Sequence, residues 1–273
     1  MGIVGKIQSK IPIFFQFPLL TKEKLFELFY SNIKRIEDIP ANLLNQEQIQ
    51  IIQKSFIEKD TIIKKNEVES FCERIEKPVA AIDLEIWTPA IPVLNNTKPF
   101  QQIPFLFCLF DGKNKLEYFT EHQQDERKSF AIELIKKTEA YQSLLVYDKS
   151  MEEQCIHQLA LLFPDLKAEL KMVGEKLIDI SNLFKKLAIY NYQFQNSFTL
   201  KSIASVLTPQ IEFKGIKSGL EAMNYFENLR ASSNPIEKEI LKQDILSYCE
   251  TDVEAVLALY EHIQSLPNKK PQQ

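Results

Sequence analysis

The sequence predicts an α/β domain: a mixed sheet of about five strands with helices on its flanks, preceded by a small helical extension. Three observations carry that reading. Short apolar runs of strand length fall at residues 79–87, 103–110, 116–119 and 143–147. The second and third enclose Asp111-Gly112-Lys113-Asn114, a turn signal that makes them a hairpin. Residues 126–139 have helical spacing and separate the third run from the fourth, so the order is β-β-β-α-β with helices after it.

Taken in chain order, Thr21 is an N-cap before Lys-Glu-Lys and the helical series Leu25, Phe26, Leu28, Phe29. A turn follows at Asp38-Ile39-Pro40, and residues 46–56, with Ile49, Ile51, Ile52 and Phe56, suit a helix. Residues 67–75 make a last helix that feeds the main domain. The texture changes at Pro78, where Val79-Ala-Ala-Ile-Asp-Leu-Glu-Ile-Trp87 is an apolar run interrupted by acids, as a central strand with a task would be. Beyond Met151 the pattern is helical, over 197–207, 219–229, 236–246 and 248–266, with a short extended piece at 177–180. The expected division is a helical lead-in over 1–75, a main domain over 76–267 and a frayed tail over 268–273. There are no repeats and no low-complexity tract.

A chain of 273 residues has room for one domain of about 150–200 residues with an appendage. With 45% hydrophobic and 26% charged residues, a disordered or collagen-like chain is excluded. The apolar stretch 11–20 contains Gln16 and two prolines and falls short of the roughly 20 residues a spanning helix needs. It has no small-residue cleavage site, so neither a membrane span nor a secretory signal is expected. Cys72, Cys108, Cys155 and Cys249 form no C-x-x-C pair, which fits buried thiols in a reduced, cytoplasmic compartment. The net charge of −4 is a poor one for a passive nucleic-acid binder. It leaves room for a nuclease, because metal ions can neutralise a carboxylate cluster and meet the phosphate themselves.

Three groups of residues could carry chemistry. Asp83 and Glu85 lie two apart in a strand, so both carboxylates point to one side of the sheet. Like charges buried together are costly unless a cation lies between them, and an all-oxygen site suits Mg²⁺ or Mn²⁺. Tyr248 and Asp252 are four apart on a helix, which stacks a phenol and a carboxylate on one face. Asp148, Glu152 and Glu153 follow the strand at 143–147, where side chains reach over the end of a sheet. Taken singly, each group reads equally as solvated surface or, for the last, as acids placed by a helix dipole. His122, His157 and His262 have no metal-ligand spacing.

The order of these groups resembles the DEDD exonucleases, tyrosine subclass, of the ribonuclease H-like superfamily. More narrowly it resembles an uncharacterised bacterial domain family with D-F-E-T, P-A-I-P and P-Y-Q-Q-I-P-F motifs. The counterparts are Asp83-Leu-Glu-Ile86, Pro89-Ala-Ile-Pro92 and Pro99-Phe-Gln-Gln-Ile-Pro-Phe105, followed by Ser197-Phe-Thr-Leu-Lys201 and Tyr248-x-x-x-Asp252. The likeness runs from about Pro78 to Leu266. It implies a ribonuclease H-like fold and a 3′→5′ exonuclease acting on the 3′ end of single-stranded DNA or RNA. It also implies two Mg²⁺ or Mn²⁺ ions on Asp83, Glu85, Glu152 and Asp252, with Tyr248 orienting the attacking water. Gln101 and Gln102 of the third motif are expected substrate contacts; Trp87 could stack on a base, or equally pack over the mouth of the sheet, and Lys201 at a helix start could meet a phosphate, an exposed lysine being the plainer reading. The family's N-x-x-F-E motif reads Asp148-Lys-Ser-Met-Glu152 here, so the ligand role goes to Glu152 with Asp148 as substitute. Ile86 replaces the hydroxyl residue of D-F-E-T. The rival expectations are a non-catalytic nucleic-acid-binding or scaffolding module on the same fold, and an endonuclease sharing the metal site.

Overall fold

A computed structural model describes residues 21–33, 35–40, 47–195 and 197–266. The apolar stretch 11–20 and the tail 268–273 lie outside them. The lead-in contains α1 (Lys22–Tyr30), α2 (Glu47–Glu58), β1 (Thr61–Ile63) and α3 (Lys65–Glu73). The sheet then begins with β2 (Val79–Trp87), β3 (Ile103–Phe110) and β4 (Lys115–Phe119), followed by α4 (Arg127–Thr138), β5 (Ser143–Val146), α5 (Ser150–Leu162), α6 (Lys167–Glu175) and β6 (Leu177–Asp179). The chain continues through α7 (Ser181–Lys185), β7 (Ile189–Asn191), α8 (Leu200–Leu207), α9 (Gly219–Ala231) and α10 (Pro235–Ser265). Among the described residues no helix is long and apolar enough to cross a membrane.

The five-stranded sheet has the order β4-β3-β2-β5-β6. Strands β2, β3 and β4 are antiparallel neighbours, while β5 runs parallel to β2 and β6 parallel to β5. This is the ribonuclease H-like arrangement. The hairpin closes through Asp111, whose Oδ1 accepts from the backbone N–H groups of Lys113 and Asn114 at 2.8 and 2.7 Å, with Gly112 supplying the left-handed φ of 91°.

Alternation along β2 assigns its two faces. Ala80, Ile82 and Leu84 join a core with Phe107, Leu109, Phe130, Leu144 and Ile156, under α4, α5 and α6. Ala81 and Trp87 face the other core, with Cys108, Phe226, Cys249 and Val253 of the helices beyond. Asp83 and Glu85 fall on this second side by strand periodicity. Asp83 lies opposite Cys108 and Glu85 opposite Leu106, after which the register slips so that Ile86 faces Pro104. A bulge of this kind bends a strand end and re-aims its side chains.

Phe226 of α9 holds the cover over that second face. It is fully buried, stacks on Phe105 with ring centroids 3.9 Å apart and meets Trp87 edge-on at 5.5 Å. Truncation of such a side chain costs about 3–5 kcal/mol. Phe226→Ala is therefore expected to lower unfolding free energy by that amount in a urea titration, and a loss below about 1 kcal/mol would show that α9 is not anchored there.

Two expectations about elements are corrected. The lead-in is not wholly helical: β1 pairs antiparallel with β7, Thr61 opposite Asn191 and Ile63 opposite Ile189. A three-residue strand is too short for periodicity to announce. The segments at 236–246 and 248–266 are one helix, α10, started by Asn234, whose side chain accepts from the N–H groups of Ile236 and Glu237. Its first turns are largely solvated and burial sets in at Ile245, so the pattern changes although the chain does not break.

Candidate metal centre

Three elements aim acids into one cleft of about 500 Å³, lined by Asp83, Glu85, Asp148, Glu152, Tyr248 and Asp252 among others. Strand β2 contributes Asp83 and Glu85 from its floor. Helix α10 crosses above them and contributes Tyr248 and Asp252, which face inward because the buried side of this helix packs against the sheet. Helix α5 contributes Glu152 from its first turn.

The turn before α5 gives the two acids offered there different surroundings. Asp148 adopts a left-handed φ of 64°, a conformation Asp tolerates better than most residues, and its N–H donates to Asp179 Oδ1 at 3.0 Å. Its carboxylate is exposed and occupied, accepting from Lys185 Nζ at 2.6 Å and from Ser150 Oγ. One helical turn on, Glu152 is 5% exposed and its Oε2 has no hydrogen-bond partner. Asp252 Oδ1 is likewise buried without a partner.

Burial raises all four acids above the usual carboxylate range. Burial, reinforced by Asp83, pushes Glu152 up to about 8 and Asp252 up to about 8. Asp83 is pushed up to about 6 by burial, against the opposing hydrogen bonds from Cys249 and Glu85. Glu85 lies well above the usual carboxylate range, through burial and then through Asp83 and Asp252. Of the neighbouring pair, Glu85 is the one more strongly held in its neutral form. A divalent cation fits the same place: the donors are hard carboxylate oxygens, and two of them are buried and unpartnered. The ligand atoms of Asp83, Glu85 and Cys249 lie within 4.8 Å of one another.

Tyr248 is 9% exposed and lines the cleft beside Asp252; burial first and Asp252 second raise its phenol far above the usual range. It therefore remains a neutral donor at any working pH. Lys201 Nζ lies 4.6 Å from the centre of the Tyr248 ring and donates to the carbonyls of Ile216 and Lys217 at 3.2 and 2.7 Å. Its charge acts on Asp252 and Glu85, although Lys201 does not itself line the cleft.

The other expected substrate contacts fall elsewhere. Trp87 is only 3% exposed, donates from Nε1 to Glu227 Oε1 at 3.0 Å and has Arg230 over its ring at 4.1 Å. Both its faces are committed to packing, so the expectation that it stacks on a base is corrected. Gln102 donates to Gln154 Oε1 at 3.1 Å and accepts from Gln158 Nε2 at 3.2 Å, while Gln101 accepts from the N–H of Lys98 at 3.0 Å. Both buttress the loop before β3 and neither lines the acidic cleft. Sequence reasoning missed the apolar rim, where Met151 is 47% and Leu220 67% exposed and both line the cleft with Met223. Met151 adjoins Glu152 in sequence; Leu220 carried no signal at all. Cys249, read only as a buried hydrophobe, also escaped notice.

Residues 80–199 match the model of a family described as a domain of unknown function, DUF2779. That match takes in β2 and the start of α5, hence Asp83, Glu85, Asp148 and Glu152, and ends before Lys201, Tyr248 and Asp252. Among curated proteins, Uncharacterized protein MG366 of Mycoplasma genitalium is 24% identical over 243 residues, covering 75% of this chain and 34% of the relative. The chain thus spans about a third of the length of the curated relative it matches. In shape, 69% of the chain resembles 24% of a family B DNA polymerase from the archaeon Pyrobaculum calidifontis, at 14% identity and a TM-score of 0.43. At that level the likeness carries no argument.

The raised acids make stability depend on pH and on cation. The folded state holds protons on Asp83, Glu152 and Asp252 that the unfolded chain releases near pH 4. Their stabilising contribution is full below that pH and is lost as pH rises through about 6 and about 8. Without metal, Tm is expected to fall between pH 5 and pH 8.5, and millimolar Mn²⁺ to raise it more at the higher pH. Scanning calorimetry at the two pH values reads this directly; a Mn²⁺ shift equal at both would sink it.

Proposed function

We propose that this chain is a divalent-metal-dependent nuclease that removes nucleotides from the 3′ end of single-stranded DNA or RNA. Asp83, Glu85, Glu152 and Asp252 would hold two Mg²⁺ or Mn²⁺ ions. The observation that carries this reading is the convergence of four carboxylates from β2, α5 and α10 on one open cleft, with buried, unpartnered oxygens on Glu152 and Asp252. A purely structural site would have filled those oxygens with hydrogen bonds.

When bound, a pair of such ions supplies charge neutralisation for phosphodiester hydrolysis and favours ionisation of the attacking water. The chain's own residues do the rest. Tyr248, kept neutral beside Asp252, offers an oxygen that positions water beside the acids. Lys201, braced by two carbonyls, holds the Tyr248 ring from the other side. Met151, Leu220 and Met223 give the rim an apolar surface on which an unstacked base can lie. Water adds to phosphorus, the bond to the 3′ oxygen of the shortened strand breaks, that oxygen takes a proton, and a nucleoside 5′-monophosphate leaves.

The test is the purified protein with Mn²⁺ or Mg²⁺ against end-labelled single-stranded DNA and RNA, with free and blocked 3′ ends. Monophosphates released only from free 3′ ends support the reading. Internal cuts in the blocked strand favour an endonuclease, and metal binding without cleavage favours a non-catalytic module.

A further inference from the structure

Cys249 lies between Tyr248 and Asp252 on α10 and is fully buried. Its Sγ is 3.4 Å from Asp83 Oδ2 and 3.6 Å from the Asp83 carbonyl oxygen. Together Asp83, Glu85 and Cys249 present three ligand atoms within 4.8 Å of one another. Asp252, three residues beyond Cys249, adds a buried oxygen with no partner that faces the same cleft.

The donor set is therefore two carboxylates two apart on a strand and a thiol on the helix above them, with the unpartnered acid of Asp252 in the adjoining cleft. Such a set contains one soft ligand. Mg²⁺ makes no use of sulfur, whereas zinc-class cations take thiolate and carboxylate together in tetrahedral sites. With a Zn–S bond near 2.3 Å and a Zn–O bond near 2.0 Å, the S···O edge of a zinc tetrahedron is about 3.5 Å. The Sγ···Oδ2 separation of 3.4 Å matches that edge.

We propose that the floor of the cleft is also a binding site for a thiophilic divalent cation, Zn²⁺ or Cd²⁺, held by Asp83, Glu85 and Cys249, with Cys249 setting metal preference. The inference rests on reading the cleft as a metal centre, and it adds the class of cation that competes there with Mg²⁺ and Mn²⁺. Binding forms a metal–sulfur bond, and the thiol proton leaves to the buffer together with any proton the ligating carboxylates hold. A cation held this way ties Asp83 to α10 and excludes the harder ions.

The experiment is titration of the full chain with Cd²⁺, under a non-thiol reductant, following the ultraviolet sulfur-to-cadmium charge-transfer band. Wild type and Cys72→Ser are expected to show a saturable band, and Cys249→Ser to lose it. The ratio of Zn²⁺ to Mn²⁺ affinity should fall in Cys249→Ser by more than the roughly 10–100-fold that loss of a ligand's own hydrogen-bond partner costs. Damage to the fold would lower both affinities together. No band in wild type, an undiminished band in Cys249→Ser, or an unchanged affinity ratio would each overturn the proposal. Should Cys249→Ser fail to fold, Asp83→Asn replaces it: Cd²⁺ affinity should collapse, and its persistence would overturn the site. None of these readings depends on cleavage, so a chain that binds Cd²⁺ through sulfur yet cuts nothing would separate this inference from the nuclease reading.

Discussion

Glu152→Gln is expected to abolish nearly all nuclease activity, whereas Asp148→Asn leaves most of it. The two acids stand one helical turn apart, and the structure gives them opposite surroundings. Glu152 is buried in the cleft with an unpartnered oxygen, and burial holds its proton up to about 8. Asp148 is exposed and its two oxygens are taken by Ser150 and Lys185, with Lys185 first among the influences that lower it below the usual range. A cation would have to displace an existing ion pair to use Asp148, but would relieve an unpaired acid in using Glu152. Loss of one preorganised charge contact at a reacting centre costs about 10²–10³-fold, and a missing metal ligand should cost at least that. Single-turnover rates on single-stranded DNA and RNA, with Mn²⁺ affinity for each variant, decide the matter. A larger loss in Asp148→Asn would move the ligand assignment back by one helical turn.

Tyr248→Phe should slow hydrolysis by about 10²–10⁴-fold, the range for groups that handle a reacting proton, while Mn²⁺ affinity hardly moves. The phenol is buried beside Asp252, is held neutral, and brings no charge to a cation. Asp252→Asn should lose both rate and affinity. Its carboxylate is the buried acid on α10 that faces Asp83, and its amide replacement cannot balance a divalent charge. Paired titrations and single-turnover rates separate the two variants. Equal loss of Mn²⁺ in both would make Tyr248 a structural support for Asp252, and full activity in Tyr248→Phe would remove it from the mechanism.

Much of the fold was legible because it rests on short-range periodicity. The four runs at 79–87, 103–110, 116–119 and 143–147 correspond to β2, β3, β4 and β5, and the extended piece at 177–180 to β6. Strand β1 and the unity of α10 were not legible. The first is three residues whose partner lies far along the chain, and the second changes from solvated to buried without changing conformation.

The candidate site divides in the same way. The spacings in Asp83-x-Glu85 and Tyr248-x-x-x-Asp252 determined which side chains share a face, because strand and helix repeats are local properties of the backbone. Sequence also narrowed the third contribution to the acids after β5. Only tertiary structure decided that these three segments meet in one cleft, that Glu152 is buried there without a partner while Asp148 is exposed and paired, and that Trp87 is spent on packing. It alone placed the Cys249 thiol against Asp83 and left Lys201 beside Tyr248. Those outcomes depend on burial and on partners distant in sequence: a carboxylate becomes costly, and so informative, only when the surrounding chain has taken away its water and failed to replace it.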